Sequence, residues 1–154
     1  MEKSLIHSKK MAIRWGDMDA YGHVNNTNYF LYVQEARFEM MVEHGKKIDV
    51  SGIAPVLAET SCKFIRPITF PEIIIIETWL TNIEGKKTFF EHIIKSGTKS
   101  EVIYAVLPAT IVWYDFANKT SVNTPEYIYN LLPLLQNNIS ESLLNSAVIK
   151  QTTA

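Results

Sequence analysis

Between residues 14 and 29 the chain reads Arg-Trp-Gly-Asp-Met-Asp-Ala-Tyr-Gly-His-Val-Asn-Asn-Thr-Asn-Tyr, which gathers two carboxylates, one imidazole and several amides into a short span. Those groups suit attack on an acyl carbonyl. A carboxylate, Asp17 or Asp19, can add to the carbonyl carbon as a nucleophile or take a proton from water, and partial burial would raise its basicity toward working pH. The oxyanion that forms needs donors, and the unpaired N–H groups of a helix's first turn supply them; losing one such donor costs about 3 kcal/mol. This chemistry works if the span is a loop that leads from a strand into a helix N-terminus.

Each group also has an ordinary reading. Loop aspartates are commonly solvated or bonded to backbone, and Asp17 can close a strand end or pair with Arg14. His23 taken alone reads as a hydrogen-bonded structural histidine, and Asn25, Asn26 or Thr27 could cap a helix, which is compatible with presenting the Asn26 N–H to a ligand. Asp17, Asp19 and Gly22 match the first, third and sixth positions of a calcium loop, but Tyr21 and Asn28 stand where its fifth and twelfth ligands belong. No metal is expected there.

The flanking sequence supplies both elements. Residues 5–15 mix apolar and basic side chains up to Ile13 and Trp15, as a first strand would, and stop at Gly16 and Asp17. Residues 28–44 contain neither Gly nor Pro, and Tyr29, Val33, Ala36, Met40 and Met41 recur at helical spacing, with Gly45 as the stop. Tyr29 to Val33 is apolar on every side, which predicts a helix wrapped by other structure. Four β-like runs follow at 54–66, 71–83, 87–96 and 100–115. Glu84-Gly85-Lys86-Lys87 and Ser96-Gly97-Thr98-Lys99 are short turns of the kind that join antiparallel strands. Pro108 marks a bulge or an edge position, because proline cannot donate to a ladder. Thr124 before Pro125 opens a short second helix. The tail at 136–154 is polar and poor in signals, and no repeat or composition shift separates a second domain, so residues 1–154 read as one. One long buried helix followed by a twisted antiparallel meander of about five strands is an α+β arrangement in which the sheet curls around the helix, the hotdog architecture.

Bulk properties exclude several classes. Fifteen basic against sixteen acidic residues give a net charge of -1, too little to hold a nucleic acid or an anionic membrane. The single cysteine, Cys62, rules out an internal disulfide framework and reads as a buried structural thiol. No basic-then-apolar leader is present and no apolar run approaches the roughly 18 residues a membrane helix needs, so a cytoplasmic location is expected. The sequons at Asn118 and Asn138 then read as chance matches. Lys86, Lys87, Lys95 and Lys99 read as solvated edge protection rather than contacts for phosphates.

The loop and helix together resemble the 4-hydroxybenzoyl-CoA thioesterase family, especially its fatty-acyl branch. The residues that carry the resemblance are Arg-Trp-x-Asp-x-Asp at 14–19, Gly-His-Val-Asn-Asn at 22–26, Tyr29, Glu35-Ala36-Arg37 and Arg66-Pro67. It covers residues 8–130 in organisation, while the specific motifs occupy a small part of that span. It implies hydrolysis of acyl-CoA, with CoA as part of the substrate and no other cofactor. Asp19 falls on the catalytic aspartate, Asn26 on the residue whose N–H binds the oxyanion, and Asp17 beside them. His23 falls on a histidine that belongs to the catalytic set of the related acyl-carrier-protein thioesterases. Those enzymes carry asparagine where this chain has Tyr21, and the aryl-CoA members lack the histidine. The resemblance further implies a homodimer or tetramer with sites at the subunit interface, so that Thr60 and Ser61 line the partner's pocket. Asn25, Tyr29 and Glu35 complete the expected substrate-binding set, with Glu35 and Arg37 also candidates for pairing at the dimer contact. Acyl-carrier-protein is the alternative donor, and a non-hydrolytic acyl-binding module is the alternative class.

Overall fold

Side-chain alternation builds the sheet, as the computed structural model shows for residues 2–44 and 51–132. Gly45 and the 136–154 tail lie outside the described residues. In β4 (Ile73–Glu84) every second residue, Ile74, Ile76, Thr78 and Leu80, is fully buried, and Thr88, Phe90, His92 and Ile94 repeat the pattern in β5 (Lys87–Ser96). β6 (Ile103–Asp115) contributes Leu107, Ala109, Ile111 and Trp113. With β1 (Ser4–Ala12) and β2 (Ile53–Thr60) these strands run in the order β1-β4-β5-β6-β2, every neighbour antiparallel. Two short strands, β3 (Lys63–Phe64) and β7 (Thr120–Ser121), also pair with β6. The β4–β5 hairpin turns at Gly85, whose φ of +55° lies in the left-handed region that glycine takes freely. Register shifts between Leu5 and His7, Leu57 and Glu59, Leu80 and Asn82, and Ile94 and Lys95 each add local twist, and the sheet curls.

The helix α1 (Asn26–Glu43) lies in that curl against β1 and β4. Its buried stripe, Tyr29, Tyr32, Val33, Ala36 and Met40, follows the three-to-four spacing of one helix face, and the first four of these pack with Ile74, Ile76, Ile94 and Leu107. This is the hotdog fold. The expectation that the first turns are covered on every side needs correction. Leu31 in those turns is about half exposed, as are Phe38 and Val42 further along, because a single sheet reaches only one face of the helix.

Several strand ends move for local reasons. β1 stops at Ala12 rather than 15, since Trp15–Asp17 tightens into a 3₁₀ turn held by Asp17. β4 begins at Ile73, past Pro71, which has no N–H to give. β6 begins at Ile103, after a turn in which Glu101 has φ +61°. The run 54–66 breaks at Ser61 and Cys62, and the cause lies opposite. The carbonyl of Pro108 accepts the Thr60 hydroxyl at 2.8 Å and the Ser61 N–H at 3.4 Å, so the missing proline N–H faces the gap between β2 and β3. Pro108 therefore sits at a local edge inside an interior strand. Cys62 falls in this break, half-buried instead of within a strand, and burial pushes its thiol up to about 11.

The chain divides into two units, Met1–Thr124 and Pro125–Ala154. The second holds α2 (Glu126–Tyr129), whose N-cap is Pro125 rather than Thr124. Among the described residues no helix is long and apolar enough to cross a membrane.

Candidate active site

The loop between β1 and α1 is built by the two aspartates in different ways. Asp17 is buried, and its carboxylate accepts the Arg14 backbone N–H at 3.0 Å, the Arg14 guanidinium at 2.8 and 3.0 Å and the Tyr32 hydroxyl at 2.7 Å. Burial would raise this carboxyl, yet the bonds from Arg14 and Tyr32 outweigh it and hold the group below the usual carboxylate range. Its carbonyl accepts the Asn25 N–H at 2.9 Å and the Asn28 side-chain amide at 2.8 Å. Asp17 thus ties the strand end to the helix start, the structural part expected from its pairing with Arg14. Every polar contact of its carboxylate is spent inside the fold.

Asp19 is the contrasting case. The loop closes on itself through a bridge between Met18 and Val24 and through the Asp19 N–H on the His23 carbonyl at 3.0 Å. Gly22 makes the turn with φ +74°, and a Cβ there would meet nothing, so backbone conformation rather than space calls for glycine. The carboxylate is exposed and, among the described residues, accepts two bonds, from the Tyr21 N–H at 2.9 Å and the Asn25 side-chain amide at 3.2 Å.

Asn25 couples this carboxylate to the helix. It is the N-cap of α1, its side-chain oxygen accepting the Thr27 N–H at 3.0 Å and the Thr27 hydroxyl at 2.7 Å. Of the three caps the sequence allowed, this is the one used. Asn26 opens the helix, and among the described residues no acceptor takes its N–H. That free donor stands at the positive end of the helix, one residue from the amide that holds Asp19. Asn25→Ala is expected to cost about 1 kcal/mol of stability by denaturant unfolding, and to lower activity more than a surface change would, since it releases Asp19 as well as the cap.

Asn26 and His23 open onto a cleft of about 250 Å³, lined also by Val24, Tyr29, Phe64, Ile65, Arg66 and Pro67. Tyr29 is buried, stacks edge-on against Phe64 with ring centroids 5.0 Å apart, and has its phenol pushed up by burial. The Val24 N–H donates to the Ile68 carbonyl at 2.9 Å, which fastens the segment carrying Arg66 and Pro67 beside the helix tip. Phe64 and Ile65 escaped the sequence reading. They lie far along the chain from the loop, and only the β3 pairing with β6 brings them here.

The other expected residues lie elsewhere. Thr60 and Ser61 line a separate depression of about 360 Å³ with Glu59, Thr81, Phe89 and Thr110. Glu35 is exposed on the outer face of α1, beside Gln34 and Phe38 in a groove of about 410 Å³. Arg37 turns inward, with its guanidinium 3.4 Å from Nε2 of His92. Lys86 donates to the Ser121 hydroxyl at 2.9 Å, and Lys95 and Lys99 pair with Glu77 and Glu72; Lys95 lies on β5, which runs between β4 and β6, so it protects no sheet edge.

Relatives share this framework. The chain is similar to ATL3, a chloroplastic acyl-acyl carrier protein thioesterase of Arabidopsis thaliana, at 26% identity over 115 residues, or 73% of this chain. It spans only 60% of the length of that relative. In structure it is similar to a candidate thioesterase of Pseudomonas aeruginosa, with a TM-score of 0.79 and 28% identity over 84% of this chain and 99% of that one. A candidate acyl-CoA thioesterase of Xanthomonas campestris gives a TM-score of 0.68 at 30% identity over 71% of this chain and 93% of that one. Residues 13–132 match the family as a whole, from the strand end before the loop to beyond the last long strand, and on that span the chain belongs to the Thioesterase-like superfamily.

Proposed function

We propose that this protein hydrolyses acyl-CoA thioesters, with Asp19 as the catalytic carboxylate and the Asn26 N–H as the oxyanion donor. One observation carries the reading: an exposed carboxylate and an unclaimed helix N-terminal N–H are joined through a single residue, Asn25, and the residue that owns the N–H, Asn26, lines a cleft that Asp19 itself does not line. Asp19 takes a proton from water as the hydroxide adds to the thioester carbon, or adds to that carbon itself, in which case a water later opens the acyl–Asp19 anhydride and restores the carboxylate. Charge that collects on the carbonyl oxygen is met by the Asn26 N–H and the helix dipole. The carbon–sulfur bond then breaks, and CoA leaves as its thiol after taking up a proton. His23, on the cleft wall, orients the water or bonds the carboxylate. The Gly-His-Val-Asn-Asn form of the loop favours a fatty-acyl over an aryl group.

Two copies complete the site in this reading. Among the described residues strand β2 pairs with β6 alone and leaves Ile53, Val56 and Leu57 exposed, so a second copy joined there would bring its Thr60 and Ser61 toward the cleft. The likeness to ATL3 favours acyl-carrier-protein as the second candidate donor. Release of free thiol from a panel of acyl-CoA and acyl-carrier-protein substrates tests the proposal. Turnover well above the uncatalysed rate on acyl-CoA is the expected result. Thermal stabilisation by acyl-CoA with no thiol released would instead make the protein an acyl-binding module.

A further inference from the structure

At the other end of α1 a second polar cluster faces the sheet. His7 on β1 is buried, with only 7% of its surface exposed, and neither of its ring nitrogens has a hydrogen-bond partner among the described residues. The neighbour across the ladder, Thr78, gives no help, because its hydroxyl contacts Nδ1 of His92 at 3.0 Å. Nε2 of His7 points instead at two carboxylates, 3.5 Å from Oε1 of Glu39 and 3.3 Å from Oε2 of Glu43. An orphaned buried imidazole aimed at two acids is costly as it stands.

The acids are misplaced by helix rules too. Glu39 and Glu43 are one turn apart, where like charges repel, and they sit in the last turns of α1, where the helix dipole disfavours anions. Lys9 relieves part of this by pairing with Oε2 of Glu39, but leaves Oε1 toward the histidine. A cation between the three groups would answer all three costs at once.

We infer that His7, Glu39 and Glu43 form a binding site for a divalent transition-metal ion of the zinc class. Donor atoms from the three residues lie within 4.8 Å of one another. Around a tetrahedral zinc ion with bonds of about 2.0–2.2 Å, adjacent ligand atoms stand about 3.4 Å apart, which the two imidazole–carboxylate separations already match. One nitrogen and two carboxylate oxygens suit zinc, cobalt or nickel better than magnesium or calcium, which prefer all-oxygen shells. The fourth position is left for water. Glu39 lies about 20 Å along the helix from Asn26 by the rise per residue, so the ion clasps the end of α1 to β1 rather than entering the acyl chemistry. The loop at Asp17 and Asp19, whose spacing raised the question of a metal, has its carboxylates bonded otherwise.

Zinc sulfate titrated into the full chain after chelator treatment is expected to bind at one equivalent and raise Tm by several degrees. Cobalt in its place should give the intense visible bands of a four-coordinate ion. Glu43→Gln alters an exposed side chain, so the variant folds, and it is expected to weaken zinc binding at least about tenfold and remove the Tm rise. His7→Asn should do the same. No saturable binding to the parent overturns the site, and so does equal binding by Glu43→Gln, which would assign the zinc to the surface histidines His23 and His44.

Discussion

Asp19→Asn is expected to lower kcat for acyl-CoA hydrolysis by about a thousandfold, with KM changed little, because the amide can neither deprotonate water nor add to the thioester carbon. The fold should survive. Asp19 is exposed, and its bond from the Tyr21 N–H can be kept by the amide oxygen, while the one from Asn25 is lost at a cost of about 1 kcal/mol. Steady-state thiol release and a thermal melt on the same preparation separate the two effects. Parent-like turnover in this variant would remove Asp19 from the chemistry and leave only the helix tip. The neighbouring aspartate should behave in the opposite way. Asp17 is spent on Arg14 and Tyr32, so its loss falls on stability first and on rate only through the misplaced loop.

Glu72→Gln is expected to cost about 3 kcal/mol of unfolding free energy near neutral pH. The Glu72 side chain is 2% exposed and accepts the Thr98 hydroxyl at 2.6 Å, the Ile73 N–H at 2.9 Å, the Ser96 hydroxyl at 3.2 Å and the Tyr104 hydroxyl, with Lys99 at 3.5 Å. Burial alone would raise its carboxyl, but the bonds from Thr98, Tyr104, Ile73 and Ser96 prevail and hold it at about 2, against an ordinary value of 4.5. A depressed pKa gives a defined sign. The stabilisation is fully present above pH 4.5 and is lost as pH falls through that value toward 2, where the folded state must also take up the proton. Denaturant unfolding across that window should therefore show the parent converging on the variant at the acid end. A difference that stayed constant with pH would show that shape, not charge, sets the cost. The change reaches the cleft as well, because the Glu72 carbonyl accepts the Ile13 N–H at 3.1 Å and the same segment carries Ile68, Pro67 and Arg66.

The chain's local signals determined a good deal. Asn25 caps the helix because a short side-chain oxygen before a helical run has few better uses, and Gly22 turns the loop because the backbone there is left-handed. Alternation over 73–84 and 87–96 and the short turn at Gly85 fix the hairpin, since period two buries one face whatever lies against it. Asp17 with Arg14 was legible for the same reason: the partners are three residues apart.

Tertiary structure decided what depends on distant chain segments. Whether one side of α1 is covered is set by how far the sheet reaches, and Leu31 and Phe38 carry no mark of it. The break in the run 54–66 comes from Pro108 on another strand, and the cleft wall at Phe64 and Ile65 from pairing across that break. The separate fates of Asp17 and Asp19, identical in type and two residues apart, follow from Tyr32 and Arg14 closing on one of them, while among the described residues the Tyr21 N–H and the Asn25 amide reach the other. His7 facing Glu39 and Glu43 was likewise invisible in the sequence, because a strand and a helix meet there only once the sheet has curled. Spacing within an element is written in the chain, whereas the meeting of two elements is fixed only by their packing.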